Sequence, residues 1–339
     1  MSERVAVASD VMSRGRRLVD PALQSALTRL HPDLRRAGEY HLGFVEADGS
    51  PAAGRGKGIR PALALLSAGA VGARPDVAVP GAVAIELVHN FSLLHDDIID
   101  GDRQRRHRPT VWALFGVGQA ILVGDALQTV AHQVLLDGGT ASGVAASVLL
   151  ADAVQAMIAG QADDMALETA ERVDVEECTR MVAGKTGALL SCASAIGAVL
   201  AGADERRLAA LGAFGAELGL SFQAVDDVLG IWGDPHVTGK PVGSDLTSKK
   251  KTLPVAFAMA ASSEAAAELG RMFRNGELDD AAVRRATAVI EGAGGRDATE
   301  EFARRHLALA LETLETDGLD PRITTDLRRV AEYVCERQM

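Results

Sequence analysis

The sequence predicts an all-α protein folded as a single large domain, on three observations. Aromatic residues make up only 4% of the 339 residues, alanine is abundant and β-branched runs are short. That balance suits packed helices better than sheet. No alternating strand pattern competes with the helical segments. No Pro/Gly/Ser-rich linker separates two apolar blocks, so one domain over 18–339 is expected, after a flexible start over 1–17.

The elements follow in order. Asp20 before Pro21 opens a helix at "DPALQSALTRL", a start signature. A second runs through "DLRRAGEYHLGFVEA", and "DGSPAAGRGKG" is a Gly-rich loop. "IRPALALLSAGAVG" carries Pro61 near its start, and the long helix "PGAVAIELVHNFSLLHDDIID" begins at Pro80. "RRHRPT" is a polar loop, and "VWALFGVGQAILVGDALQTVAHQVLL" is one helix whose glycines permit close packing. Three more helices cover "SGVAASVLLADAVQAMIAGQADDMALE", "DVEECTRMVAGKTGALLSCASAIGAVLAG" and "DERRLAALGAFGAELGLSFQAVDDVLGIWG". "DPHVTGKPVGSDLTSKKK" reads as a loop, and "TLPVAFAMAA" with three amphipathic segments completes the chain.

Composition narrows the function. The chain is 47% hydrophobic and 24% charged, with net charge −11. Such a charge argues against a nucleic-acid partner but not against anionic small substrates, because bound metals or local basic groups reverse the charge of a site. Cys178, Cys192 and Cys335 form no CxxC pair, so neither a zinc site nor a disulfide framework is expected, and a reducing cytoplasm is the simplest location. The N-terminus lacks an apolar signal core. The most apolar stretches read as buried helices shorter than the ~18 residues a membrane span needs, so no transmembrane segment is expected.

The stretch "SLLHDDIID" places Asp96, Asp97 and Asp100 at the end of an apolar helix. Asp96 and Asp100 lie one turn apart on one face, which Ser92 and His89 continue. Like charges at this spacing cost about 0.2–0.5 kcal/mol even when exposed, and burial without a partner costs far more. Magnesium resolves the conflict, since it takes one or two carboxylates together with waters and phosphates. "QAVDDVLG" repeats the arrangement with Asp226 and Asp227. If the two helices face each other, five carboxylates line one cavity able to grip a diphosphate through shared metal ions. The alternative for each group alone is a solvated acidic helix end.

Basic residues accompany the acidic ones. Lys57 and Arg60 lie near a helix start in "GKGIRP", where backbone N–H groups favour anions. Arg105 and Arg106 follow the first acidic group, and arginine suits bidentate phosphate recognition. "GKT" supplies Lys185 and Thr186, and the late loop supplies Lys240 and Lys250. Any one of these alone reads as a solvated surface charge; their repeated placement beside the acids carries the case.

Together "GKGIRP", "HNFSLLHDDIIDGDRQRRHRPT", "GDAL", "GKT", "FQAVDD", "GKPVGSDL" and "KKTLP" resemble, in order, the trans-isoprenyl diphosphate synthases (polyprenyl synthases) from about Gly54 to Pro254. The resemblance implies an isoprenoid-synthase-type helical bundle around a deep central cavity, usually a homodimer. It implies Mg²⁺-dependent condensation of isopentenyl diphosphate with an allylic diphosphate held by three Mg²⁺ ions. Carried over by position, Asp96, Asp97, Asp100, Asp226 and Asp227 bind metal. Arg105, Lys185 and Lys240 hold the allylic diphosphate. Lys57, Arg60, His89 and Arg106 hold isopentenyl diphosphate. Thr186 and Gln223 lie over the carbocation, and Lys250 belongs to the loop that closes over the site.

Two positions depart from the family pattern: Gly230 stands where a third Asp completes the second motif, and His107 replaces a common Gly. His95 beside Asp96 suggests a His-Asp metal phosphohydrolase, but the other histidines show no matching spacing, so a packed or hydrogen-bonded role is expected. Phe91 at the fifth position before Asp96, Ser92 at the fourth, and no insertion in the motif resemble some geranylgeranyl diphosphate synthases, which implies a twenty-carbon product; ordinary core is the other reading of Phe91. Farnesyl or longer products, a class I terpene cyclase, which needs no isopentenyl diphosphate site, and a non-catalytic partner subunit of a synthase are the competing readings.

Overall fold

In this computed structural model, described over residues 3–52, 56–170, 172–234, 242–274 and 278–335, the chain is helical almost throughout. The helices are α1 (Glu3–Leu27), α2 (Pro32–His41), α3 (Ile59–Ala70), α4 (Val79–Ile99), α5 (Val111–Phe115), α6 (Val117–Leu136), α7 (Ala141–Thr169), α8 (Val175–Val182), α9 (Ala188–Leu200) and α10 (Glu205–Trp232). They continue with α11 (Ser244–Thr247), α12 (Leu253–Ala261), α13 (Ser263–Arg274), α14 (Asp280–Gly292), α15 (Gly295–Thr313) and α16 (Pro321–Cys335). Local chemistry sets several ends. Pro80 lies in the first turn of α4, where its missing N–H costs nothing. Asp174 and Glu177 form a reciprocal capping box on α8, and the Asp279 carboxylate accepts from the Ala282 N–H at the start of α14.

The chain divides into two compact units, neither a continuous stretch. One comprises Met1–Val154, Ser191–Gly212 and Leu314–Val330; the other Gln155–Leu190, Ala213–Thr313 and Ala331–Met339. In the first, α4 packs against α6, α3 and α1, and α2 packs against α6. Ile85, Leu87 and Leu94 of α4 are at most 1% exposed, each burial being worth about 1.5–3 kcal/mol. In the second, α12 packs against α8, α13, α14 and α15.

Several expectations change. α1 runs from Glu3 with Pro21 inside it, and its Ala8, Val11, Met12 and Val19 are buried. "RRHRPT" is not all loop. Gln104–Arg105 pairs antiparallel with Arg108–Pro109, Arg105 opposite Arg108, and Arg106 and His107 turn the chain with φ of 52° and 62°. The stretch after Thr110 is two helices, broken at Gly116 with φ 91°. Among the described residues four helices, not three, follow α12, because Gly294 at φ 76° separates α14 from α15. Helix length does not exclude membrane spans. Residues 75–99, 141–169, 175–200 and 205–232 form helices long and apolar enough to cross a bilayer by length and composition. In α4 packing accounts for much of that apolarity, since Ala82, Val83, Ala84 and Val88 are also at most 1% exposed.

Candidate active site

The first unit gathers the first acidic group and the early basic residues. Asp96 and Asp100 lie one turn apart at the end of α4, with the Asp100 N–H donating to the Asp96 carbonyl at 2.8 Å. Asp97 is different in kind. It is 1% exposed, and Arg105 Nε donates to its Oδ1 at 2.7 Å. Its Oδ2 is buried with no hydrogen-bond partner among the described residues. Burial raises this carboxyl to about 6, with Arg105 opposing the shift and Asp102 and Asp96 adding to it. The hairpin therefore does what a loose loop could not: it fixes Arg105 on Asp97 and brings the Arg106 guanidinium against Gly56, where an added Cβ would lie 3.1 Å from Nη1.

Arg60 Nη1 and His89 Nε2 are 3.3 Å apart. A guanidinium cannot accept, so Nε2 accepts and the imidazole is neutral. Burial holds His89 well below the usual histidine range, reinforced by Arg60, Arg106, Arg105 and His41. Lys57 is exposed in the loop before α3. Arg60, Arg105, Arg106 and His89 are therefore brought together, with Lys57 at their edge. A cavity of about 100 Å³ is lined by His41, Asp97, Arg105, Arg106, Arg108 and Thr110 among others. His41 was not singled out from sequence. Burial and the three arginines push it down to about 3, and its Nε2 is buried with no hydrogen-bond partner among the described residues. A histidine inside the apolar-flanked run "EYHLG" was the available signal.

Phe91 is 6% exposed and meets His95 edge-to-face at 4.9 Å. His95 is packed, as its surroundings in sequence suggested. Its Nε2 lies 3.2 Å from the Ile121 carbonyl, in space that exists because residue 124 is glycine: a Cβ there would come within 2.4 Å of Nε2. Ser92 Oγ donates to the His89 carbonyl at 2.9 Å, so its hydroxyl is satisfied within α4.

The second unit gathers the later motifs. Lys185 and Thr186 sit in a π-helical turn, Ala183–Gly187, between α8 and α9. Such turns are rare and recur at functional sites. Gly160 of α7 makes the turn possible, since a Cβ there would lie 2.2 Å from the Lys185 backbone nitrogen. Lys185 Nζ donates to Asp164 Oδ2 at 2.6 Å. Asp164 was missed, although "QADD" repeats the signal that singled out Asp96: paired acids in an apolar helix. Thr186 Oγ1 donates to Gln223 Oε1 at 2.8 Å, and Gln223 Nε2 donates to Asp227 Oδ1 at 2.8 Å. The Leu253 N–H donates to Asp227 Oδ2 at 3.0 Å. Asp227 is 3% exposed and raised to about 7 by burial, against those two hydrogen bonds and with Asp245 and Asp226 adding to the rise. Asp226, by contrast, is exposed.

Gly230 leaves room that another acid takes. A Cβ at 230 would lie 1.9 Å from Asp245 Oδ2, so the Asp245 carboxylate occupies the place of the absent side chain. The Asp245 carbonyl also accepts from the Lys250 N–H at 2.8 Å. Lys251, also missed, is 6% exposed and donates to the Leu167 and Glu168 carbonyls, both at 2.7 Å. This ammonium at the C-terminal end of α7 anchors the loop holding Lys250. Lys240 lies outside the described residues.

Among the described residues no three His, Cys, Asp or Glu side chains form a ready metal cage. Mg²⁺ does not need one, because phosphate and water complete its shell. The buried Asp97 Oδ2 without a partner is the kind of group a cation satisfies, so the residues fit a divalent metal.

The polyprenyl synthetase family model matches residues 50–290. The chain is 43% identical over 333 residues to the (2E,6E)-farnesyl diphosphate synthase of Mycobacterium tuberculosis, covering 97% of this chain and 93% of that protein. It is 44% identical over 332 residues to the geranylgeranyl diphosphate synthase of the same organism, with the same coverage. The crystal structure of a polyprenyl synthetase from Streptomyces coelicolor A3(2) superposes with a TM-score of 0.91 at 49% identity, over 96% of this chain and 99% of that one.

Proposed function

We propose, from the premise that the chain belongs to the polyprenyl synthetase family and is a prenyltransferase, that it condenses isopentenyl diphosphate head-to-tail with an allylic diphosphate, giving geranylgeranyl diphosphate. The observation that carries this is the basic cluster of Arg60, His89, Arg105 and Arg106 beside the first acidic group. A cyclase acting on one diphosphate has no use for a second anion site.

In this reading Lys57, Arg60, His89 and Arg106 bind isopentenyl diphosphate, with neutral His89 orienting Arg60. Arg105, Lys185 and Lys240 bind the allylic diphosphate, and Lys250 belongs to the loop that closes over the site. Asp96, Asp97 and Asp100, and likewise Asp226 and Asp227, would hold Mg²⁺, three ions in the full complement. Bound Mg²⁺ supplies positive charge that offsets the charge on the departing pyrophosphate. The C1–O bond breaks, the isopentenyl double bond attacks the allylic cation, and a proton passes to the released pyrophosphate. Asp164 steers Lys185, and the Thr186–Gln223–Asp227 chain fixes the Thr186 and Gln223 dipoles toward developing positive charge.

Phe91 and Ser92 support the twenty-carbon product. A fifteen-carbon product is the second reading, favoured by likeness to the farnesyl diphosphate synthase. Mass analysis of products from dimethylallyl, geranyl and farnesyl diphosphates with isopentenyl diphosphate decides between them. A cyclic hydrocarbon formed from farnesyl diphosphate and Mg²⁺ alone would overturn the elongation reading.

We further assign a homodimer in the cytoplasm. Val117, Ile121, Leu122 and Leu136 on α6 and Val144 and Val148 on α7 are exposed, an apolar surface suited to a second copy. The three buried free cysteines suit a reducing compartment. Light scattering on the purified chain tests the dimer.

A further inference from the structure

We infer that Arg16, in the N-terminal helix, is a positioning residue for isopentenyl diphosphate: it braces the Gly56–Lys57–Gly58 loop and so fixes where Lys57 presents its charge. The inference rests on the reading of Lys57 as a substrate ligand. Arg16 Nη1 donates to the Gly56 carbonyl at 2.5 Å, across 40 positions of sequence. Its aliphatic stem lies against Gly58, where an added Cβ would come within 2.9 Å of Arg16 Cγ and 3.2 Å of Cδ. Gly58 has φ 71° and caps α3, a conformation that glycine adopts without strain. On its other side Gly56 faces the Arg106 guanidinium, 3.1 Å from the site of an added Cβ. Lys57 thus sits between two glycines, both held by one arginine.

Arg16 braces this loop and does not itself receive substrate. The crevice it lines with Val19, Leu23, Gly56, Pro61 and Glu86 has about 10 Å³ of room, no more than one water. α1 is itself anchored, since Gly15 packs on Ala62 and Leu65 of α3, 3.4–3.7 Å from the site of its Cβ. Lys57 is exposed, its ammonium four rotatable bonds from the backbone, so the loop's placement sets where its charge is presented.

The test is a double-mutant cycle with separate KM measurements for the two substrates. Arg16→Met and Lys57→Ala should each raise KM for isopentenyl diphosphate about tenfold, the scale of one charge-assisted hydrogen bond, with kcat and the allylic KM little changed. The double variant should be no worse than Lys57→Ala alone, and Arg16→Lys should recover part of the loss. Gly58→Ala, which pushes on the Arg16 stem, should reproduce the effect if Arg16→Met folds poorly. If Lys57→Ala raises this KM while Arg16→Met and Gly58→Ala do not, or if the Arg16 and Lys57 effects multiply in full, the inference is wrong. If Lys57→Ala leaves this KM unchanged, the assignment of the loop to isopentenyl diphosphate falls first and the inference with it.

Discussion

Gly160→Ala tests whether the Lys185 turn is a built feature. A Cβ at 160 would meet three backbone atoms: Lys185 N at 2.2 Å, Gly184 C at 2.7 Å and Lys185 Cα at 2.9 Å. Ordinary contact needs about 3.5–4.0 Å, so α7 and the π turn must separate by more than an ångström, and backbone cannot rotate aside as a side chain can. Overpacking of this kind costs typically about 1–3 kcal/mol; with backbone on both sides the upper end applies. The gain in helix propensity from Gly to Ala returns about 1 kcal/mol. A net loss of about 2 kcal/mol lowers Tm by roughly 4–8 °C. Function should suffer more, because Lys185 would leave Asp164, and an ångström of misplacement costs on the order of 10²-fold in rate. Scanning calorimetry and steady-state kinetics on the variant provide the measurement. Gly292→Ala, with nothing within 4 Å of its Cβ, serves as the control and should be neutral or stabilising by up to about 1 kcal/mol. Equal Tm and equal kcat/KM for wild type and Gly160→Ala would refute the reasoning.

Other expectations follow from particular contacts. His107→Gly should stabilise the chain by about 1 kcal/mol in urea titrations, because His107 holds φ 62° at the hairpin turn, where a side chain costs roughly 1–2 kcal/mol; a lower urea midpoint would count against it. Asp227, raised to about 7 in the fold against 3.8 ordinarily, holds its proton more tightly folded than unfolded, so its contribution is complete below pH 4 and lost as pH rises through 7. Metal-free wild type should therefore lose stability relative to Asp227→Asn by up to about 1.4 kcal/mol per pH unit in that window, and parallel pH curves would contradict the assignment. Phe91→Ala should lengthen the product and Gly124→Ala, by displacing His95 from beside Phe91, should alter its length distribution; unchanged products from both would remove Phe91 from chain-length control. Asp96→Asn should nearly abolish turnover and weaken Mn²⁺ binding followed by electron paramagnetic resonance.

Local rules made parts of the fold legible. Pro80 and the capping residues of α8 mark helix ends because their effects act within one turn. The hairpin at 104–109 was hidden because two-residue strands carry no alternation, and nothing but the turn at Arg106 and His107 announces them. The burial of Val11, Met12 and Val19 near the chain start was not legible because these apolar residues are scattered among charges, and only packing shows it.

The same division runs through the site. Sequence by itself determined that carboxylates and cations recur along apolar helices, and it determined the family. It could not distinguish Asp97 from Asp96, or Asp227 from Asp226, though within each pair one carboxyl is buried and its neighbour more exposed. Nor could it attach Asp164 to Lys185, Arg16 to the Lys57 loop, or Asp245 to the space at Gly230. Each of these depends on residues 15 to 40 positions apart meeting within a few ångströms. Composition and spacing along one helix carry no record of such meetings; desolvation and hydrogen bonding, which set each group's charge and direction, are decided where the chain returns on itself.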